Sequence, residues 1–264
     1  MDKPQIEFVG RMGVPRETIL EYIASAFARE LPFFIPSTAR EGAVVICASG
    51  PSLRDNLDAI RKHKEEGRAI VAVKGAHDFL IENGITPDYA TGLDPAYQEP
   101  FKKKNLQTVY FIASQTNPKV FDDLAGCQVV MWHSMLDADL SIFRGHYPIW
   151  GGSTSGLRTI ALFYYAGLRE MWLYGFDGSF ANSERRVDPG ERNKEPARTI
   201  EVECDGRKFR TCPEMAKQVL ELQEGILPNL RELTLHWEGD GLLQHAMRAW
   251  ERLPEEVRFA PKAA

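Results

Sequence analysis

The chain predicts an α/β fold of the Rossmann-like kind: a mainly parallel sheet with helices on both faces, plus a β-hairpin flap. Three observations carry that expectation. From Ala43 onward, short β-branched runs alternate with amphipathic helical stretches, as strands joined by crossover helices do. Ala43-Val44-Val45-Ile46-Cys47 is apolar on both faces and runs into Ser49-Gly50-Pro51-Ser52 and a helical stretch, as a buried parallel strand feeding a helix does. Asp205-Gly206 between two alternating segments marks a hairpin.

The 264 residues suit a single large α/β domain, and the 44% hydrophobic content supplies its core. A net charge of −5 gives no global attraction to nucleic acid. Cys47, Cys127, Cys204 and Cys212 form no C-x-x-C pair, so neither a zinc site nor a disulfide framework is indicated. Met1 to Gly10 lacks a charged-then-apolar signal pattern, and no apolar run is long enough to span a bilayer. A soluble protein of a reducing cytoplasm, with no membrane partner, is expected.

Residues 1–40 read as a helical arm. Pro15 to Leu31 carries an apolar stripe of Ile19, Leu20, Ile23 and Phe27, and Pro32 and Pro36 end it. The arm is expected to pack on the sheet or on a partner subunit, as in a homo-oligomer. Residues 41–264 form the nucleotide-binding domain, with the flap inserted at about 180–212. Strands are expected at Ala43–Cys47, Ala69–Val73, Tyr89–Leu93, Thr108–Ala113, Gln128–Trp132, Met171–Tyr174 and Glu232–His236. Leu53, Leu57 and Ile60 recur at helical spacing after the first strand. Helices follow at Ala76–Asn83 (closed by Gly84), Ser155–Ala166 (closed by Gly167), from Glu214 to between Leu222 and Leu227, and at Leu242–Leu253. Phe180 to Thr211 is polar and dense in both charge signs, and ends in the hairpin Ile200–Cys204, Asp205-Gly206, Arg207–Arg210.

Parallel sheets bind ligands outside the carboxyl ends of their strands, and the notable motifs fall there. Ser49-Gly50-Pro51-Ser52 puts small residues at a helix N-terminus, where free N–H groups and the helix dipole favour a phosphate. It is neither G-x-x-x-x-G-K-[ST] nor G-x-G-x-x-G. Gly152-Ser153-Thr154-Ser155 is a second such cluster, able to bind an anion or to allow close helix–sheet packing. Asp94 and Asp177 end the third and sixth strands. Either can act as an acid or base or order a turn, and Asp94 could hold Mg²⁺ through water. Asp88 reads as a turn residue, and Asp240 as a helix cap. Lys74 follows the second strand, as a phosphate contact or a solvated lysine. His77 and His133 sit near the carboxyl edge, where a lone histidine is more often structural than functional.

Ala48-Ser49-Gly50-Pro51-Ser52-Leu53, Gly84-Ile85-x-Pro87-Asp88 with Asp94, and Gly152-Ser153 leading to Leu173-Tyr174-Gly175-Phe176-Asp177 resemble the MptE-like family. That family is named for 6-hydroxymethylpterin diphosphokinases and has many bacterial and phage members. The Gly-Asp-Gly-Leu run ending at Leu242 is compatible with the phage type. The same layout more distantly resembles bacterial sialyltransferases that use a CMP-sugar, with Thr154-Ser155-Gly156 and Gly175-Phe176-Asp177 as the shared elements. Those enzymes place a histidine base after that Asp; Phe180 to Leu235 holds none.

The family resemblance implies a nucleotide-binding transferase that moves a diphosphate from ATP, with Mg²⁺, to a hydroxymethyl acceptor. Ser49, Gly50, Pro51, Ser52, Lys74, Gly152, Ser153, Thr154 and Ser155 would bind the small-molecule nucleotide. Asp94 and Asp177 would be catalytic, and the flap would exclude water. A glycosyltransferase using a nucleotide sugar is the alternative, and a non-catalytic nucleotide-sensing module a third reading.

Overall fold

The computed structural model describes residues 13–136, 140–181, 184–187, 198–230 and 232–259. Among them an eight-stranded sheet runs in the order β10-β7-β1-β2-β3-β4-β5-β6, every neighbouring pair parallel. The strands are β1 (Ala43–Cys47), β2 (Ala69–Val73), β3 (Tyr89–Gly92), β4 (Val109–Ala113), β5 (Gln128–Ser134), β6 (Pro148–Ile149), β7 (Glu170–Tyr174) and β10 (Thr234–Glu238). The helices are α1 (Arg16–Phe27), α2 (Leu57–Glu65), α3 (Gly75–Glu82), α4 (Pro118–Asp123), α5 (Ser155–Tyr165), α6 (Pro213–Leu220), α7 (Leu242–Glu251) and α8 (Glu255–Arg258). The Rossmann-like α/β expectation therefore holds.

Alternation of side chains along β1 builds two cores at once. Val44 and Ile46 join Leu173, Ile160 and Met247 on the face covered by α5 and α7. Val45 and Cys47 join Leu53, Ile60 and Leu80 on the face covered by α2 and α3. Burial pushes the Cys47 thiol well above its ordinary range, so it packs as a small hydrophobe. The chain leaves β1 toward α2 on one face, while α5 and α7 cover the other beside β7. The carboxyl ends of β1 and β7 thus form the switch-point crevice where sheets of this kind bind ligands.

The N-terminal arm packs on the sheet. α1 buries Ile19, Ile23 and Ala26, and the chain then runs along the outer edge of β5. Met131 N–H donates to Pro32 O at 2.7 Å, and Phe34 N–H to Met131 O at 2.7 Å. This covers part of an otherwise open strand edge.

Short elements such as α4, β6 and α8 carry no signal in the sequence. α4 has six residues, started by the Asn117 side chain accepting from Lys119 N–H with Pro118 in the first turn. β6 has two residues; neither is long enough to show a period. The helix expected from Glu214 begins at Pro213 and changes after Leu220 into a π-helical stretch, Glu221–Ile226. Sequence alone carries no signal for that widening.

The predicted hairpin forms from β8 (Ile200–Cys204) and β9 (Arg207–Thr211), with Asp205 at φ +50° and Gly206 at +76°, as a type I′ turn requires. It is tied to the segments that follow β7 and β10. Phe209 is buried, Arg207 pairs with Asp240, Arg252 with Asp205 at 2.5 Å, and Phe180 N–H donates to Arg210 O at 2.9 Å. Part of the expected flap, residues 182–183 and 188–197, lies outside the described residues. Asp240, expected to cap the last helix, serves the hairpin instead. The α7 cap is Gly241, whose N–H donates to Gln244 Oε1 at 2.9 Å.

Both candidate histidines are structural. His77 bridges Asp78 Oδ1 at 2.8 Å and Tyr110 Oη at 3.1 Å, fully buried. His133 lies among Phe27, Phe33 and Phe143 with Nδ1 2.8 Å from Ser114 Oγ. Burial, aided by His146, lowers its pKa from 6.5 to about 4. The folded state therefore binds fewer protons than the unfolded chain between these values, and stability falls as pH drops from 6.5 toward 4. Urea unfolding at pH 7 and pH 5 should show a wild-type loss that His133→Gln reduces by about 2 kcal/mol. An equal loss in both proteins would remove His133 as the source.

Candidate functional site

Three chain turns meet at the carboxyl ends of β1, β7 and β10, and one buried carboxylate joins them. Asp177, 5% exposed, accepts the Ser52 N–H on Oδ2 at 2.8 Å. Its Oδ1 accepts the Ser52 hydroxyl at 2.5 Å and Gln244 Nε2 at 2.7 Å. Its backbone carbonyl accepts Leu243 N–H at 2.9 Å. Burial raises its pKa above the ordinary carboxyl value, against the pull of the Ser52 and Gln244 hydrogen bonds.

The glycines here are dictated by close approach. A Cβ on Gly50 would fall 2.4 Å from both Asp177 Oδ2 and Gly175 O. Gly175, at φ +69°, would place one 2.2 Å from Ala48 O.

The second small-residue loop has the same construction. Ser153 donates its N–H and its hydroxyl to Glu221 Oε2, each at 2.9 Å. Glu221 is 3% exposed and comes from the π-helical stretch, with Lys217 Nζ 3.7 Å from its Oε1. Gly152 is buried because a Cβ would lie 2.5 Å from Leu157 and 3.0 Å from Glu221. Behind the loop, Arg158 donates to Gly152 O, Ile149 O and Ser134 Oγ at 2.8, 3.0 and 2.6 Å. Burial lowers its pKa to about 10.

These contacts show how four of the expected phosphate-contact residues are engaged within the protein. The donors of Ser52 and Ser153 are spent on the protein's own carboxylates. Pro51 and Gly152 are buried packing positions. Asp177 accepts three hydrogen bonds from Ser52 and Gln244 and so latches the loops together while lining the cleft.

A cleft of about 280 Å³ remains above the strand ends. Of the predicted residues, Ser49, Gly50, Lys74, Asp94, Ser153, Thr154, Ser155 and Asp177 line it. The Thr154 hydroxyl accepts Leu157 N–H at 3.3 Å and starts α5. The first-turn N–H groups of Ser155 and Gly156 then have no acceptor within the helix. Lys74 and Asp94, 14% and 27% exposed, form an ion pair in the cleft wall. No three His, Cys, Asp or Glu groups among the described residues gather as a metal site.

The cleft residues missed from sequence include two cations, Arg185 and Arg186. They belong to the charge-dense stretch that begins at Phe180. Val187 N–H donates to Ser49 O at 2.8 Å, and Arg54 pairs with Glu184 at 2.9 Å. Those bonds hold the arginines beside the β1 loop. Glu214, Met215 and Gln218 of α6 complete the wall. The arginine pair was visible as charge; its placement needed the fold. A wider hollow of about 370 Å³ beside Phe101 and α4 opens away from both glycine loops.

Asp177→Ala should lower stability by about 1–3 kcal/mol, because Ser52 N–H and Gln244 Nε2 lose a buried acceptor. Since folding raises the Asp177 pKa, the wild-type advantage is greatest at or below pH 3.8 and narrows as pH rises. Gly50→Ala should cost about 1–3 kcal/mol by overpacking. Chemical denaturation of both variants across pH checks each; unchanged midpoints would show that the latch is not needed.

No curated protein sequence matches the chain. No helix among the described residues is long and apolar enough to cross a membrane. The structure of MAf glycosyltransferase from Magnetospirillum magneticum AMB-1 is similar, with a TM-score of 0.60 at 17% identity. The match covers 82% of this chain and 35% of that one, so the chain spans about a third of that protein's length. At this identity the likeness speaks for the α/β fold. A family model described as 6-hydroxymethylpterin diphosphokinase MptE-like matches residues 19–183. That match spans well over half of the chain, and the protein belongs to the MptE-like family.

Proposed function

We propose that the cleft binds ATP and that the protein transfers its terminal diphosphate to a hydroxymethyl acceptor such as 6-hydroxymethylpterin. Family membership and the α/β architecture support the broader class, a nucleotide-related transferase. The observation that carries the finer reading is the set of donors around one cleft: Lys74, Arg185, Arg186 and the start of α5. A polyphosphate is the ligand such a set recognises.

The acceptor oxygen attacks the β-phosphorus, forming a new P–O bond. The bond from the β-phosphorus to the bridging oxygen of the α-phosphate breaks, and AMP leaves. The hydroxyl proton passes to Asp94. Little covalent chemistry falls to the protein, whose work is positioning and charge neutralisation. Ser49, beside the arginines, and Ser155 face the phosphates. Asp177 acts at one remove, as a positioning residue that fixes the β1 loop.

Any magnesium would enter with the nucleotide, held mainly by its phosphates. Asp94 already carries the Lys74 ammonium, and no metal-ligand cluster forms among the described residues. Magnesium carried by the nucleotide's own phosphates needs no protein cage.

Thermal-shift and AMP-release assays test this. ATP at about 100 times its Kd should stabilise the protein by about 2.7 kcal/mol, and AMP should form only when 6-hydroxymethylpterin is present. Arg185→Ala and Arg186→Ala should each weaken ATP binding about tenfold, by loss of a charge-assisted contact of about 1.5 kcal/mol. Stabilisation by CMP or a nucleotide sugar, and not by ATP, would replace this reading with a glycosyltransferase. ATP binding without turnover on any hydroxymethyl acceptor would leave a sensing module.

A further inference from the structure

We propose that Lys74 and Asp94 form an exchange pair: Lys74 is parked on Asp94 until a polyphosphate draws its ammonium away and uncovers the carboxylate for the acceptor. This rests on the nucleotide reading above and adds an order of events to it.

Three observations support it. First, Lys74 stands at φ +50°, ψ −116°, immediately before α3. That region favours glycine, and a lysine there is strained. Its backbone is nevertheless fixed, with N–H donating to Thr91 O at 3.1 Å and O accepting His77 N–H at 2.9 Å. A strained backbone that retains a long cationic side chain places that side chain deliberately in the cleft wall.

Second, Lys74 and Asp94 close on each other in the same cleft as Arg185, Arg186 and the α5 start. A single carboxylate competes poorly for an ammonium against a polyphosphate carrying several charges. Third, the carboxylates that serve the two glycine loops, Asp177 and Glu221, are locked by two or more hydrogen bonds each. The bonds of Asp94 include one to a side chain that can swing away, the Lys74 ammonium, and one to the Gln98 amide at 3.5 Å. Lysine suits the task because its ammonium is a point charge on a four-carbon stem that can swing between partners.

Titration calorimetry with inorganic triphosphate, in metal-free buffer, distinguishes exchange from a structural ion pair. Lys74→Met should weaken binding by about tenfold or more. Asp94→Asn should tighten it by about fivefold, because the lysine no longer has to leave a carboxylate. In the Lys74→Met background, the same Asp94→Asn change should give less than about twofold, since no lysine remains to be released. With ATP and acceptor, Asp94→Asn should lower kcat about a hundredfold without raising KM for ATP.

Equal or weaker triphosphate binding by Asp94→Asn would overturn the exchange while leaving the nucleotide reading in place. So would a gain that persists undiminished in the double variant, which would mark direct repulsion by Asp94. Absence of triphosphate binding by the wild type would overturn both. Should Asp94→Asn fail to fold, judged by its melting curve, Asp94→Ser makes the same comparison without an amide donor facing Lys74.

Discussion

The structure turns on the buried Asp177 carboxylate. A carboxylate removed from water is stable only when its lone pairs are filled. Here Ser52 fills two sites and Gln244 a third. That requirement ties the β1 loop, the β7 loop and the α7 start into one unit. It also explains why Gly50, Gly175 and Gly241 have no side chain: a Cβ at any of them would strike the latch or the backbone around it. The loops therefore stand as fixed walls, with the cleft between them.

Helix starts and small-residue turns attract anions, and this chain supplies two of those anions itself. Asp177 occupies the Ser52 donors of the first loop, and Glu221 the Ser153 donors of the second. The loops that most resemble phosphate cradles in the sequence are in large part internally satisfied. The groups turned toward the cleft are a second set: Ser49, the first turn of α5, Lys74, Arg185 and Arg186. Hydrogen-bonded carboxylates thus brace the loops, and cationic side chains stand with them around the cleft.

The π-helical stretch after α6 belongs to the same division. It carries Glu221 to Ser153, while the preceding turns of α6 present Glu214 and Gln218 to the cleft. One segment buttresses the second loop and lines the site. Arg158 completes the buttress from the other side by joining Gly152 to the ends of β5 and β6.

The sequence by itself determined the elements whose residues carry their own period or turn chemistry. β1 and β2 are apolar runs, mostly β-branched, and β4, β5 and β7 are apolar runs rich in aromatic residues. α5 and α7 have apolar stripes, and Asp205-Gly206 permits the positive φ of its turn. The candidate region was legible for the same local reason: glycine, serine and aspartate cluster after parallel strands. Elements of two to six residues, such as β6 and α4, are too short for a period and emerged only in the fold. Roles, as opposed to places, were decided by tertiary structure. Whether Ser52 meets a ligand or Asp177 depends on residues 125 positions apart in the chain. Whether Arg185 and Arg186 reach the cleft depends on a bond from Val187 to Ser49. Hydrogen-bond partners and burial are properties of contacts between distant segments, and no local pattern records them.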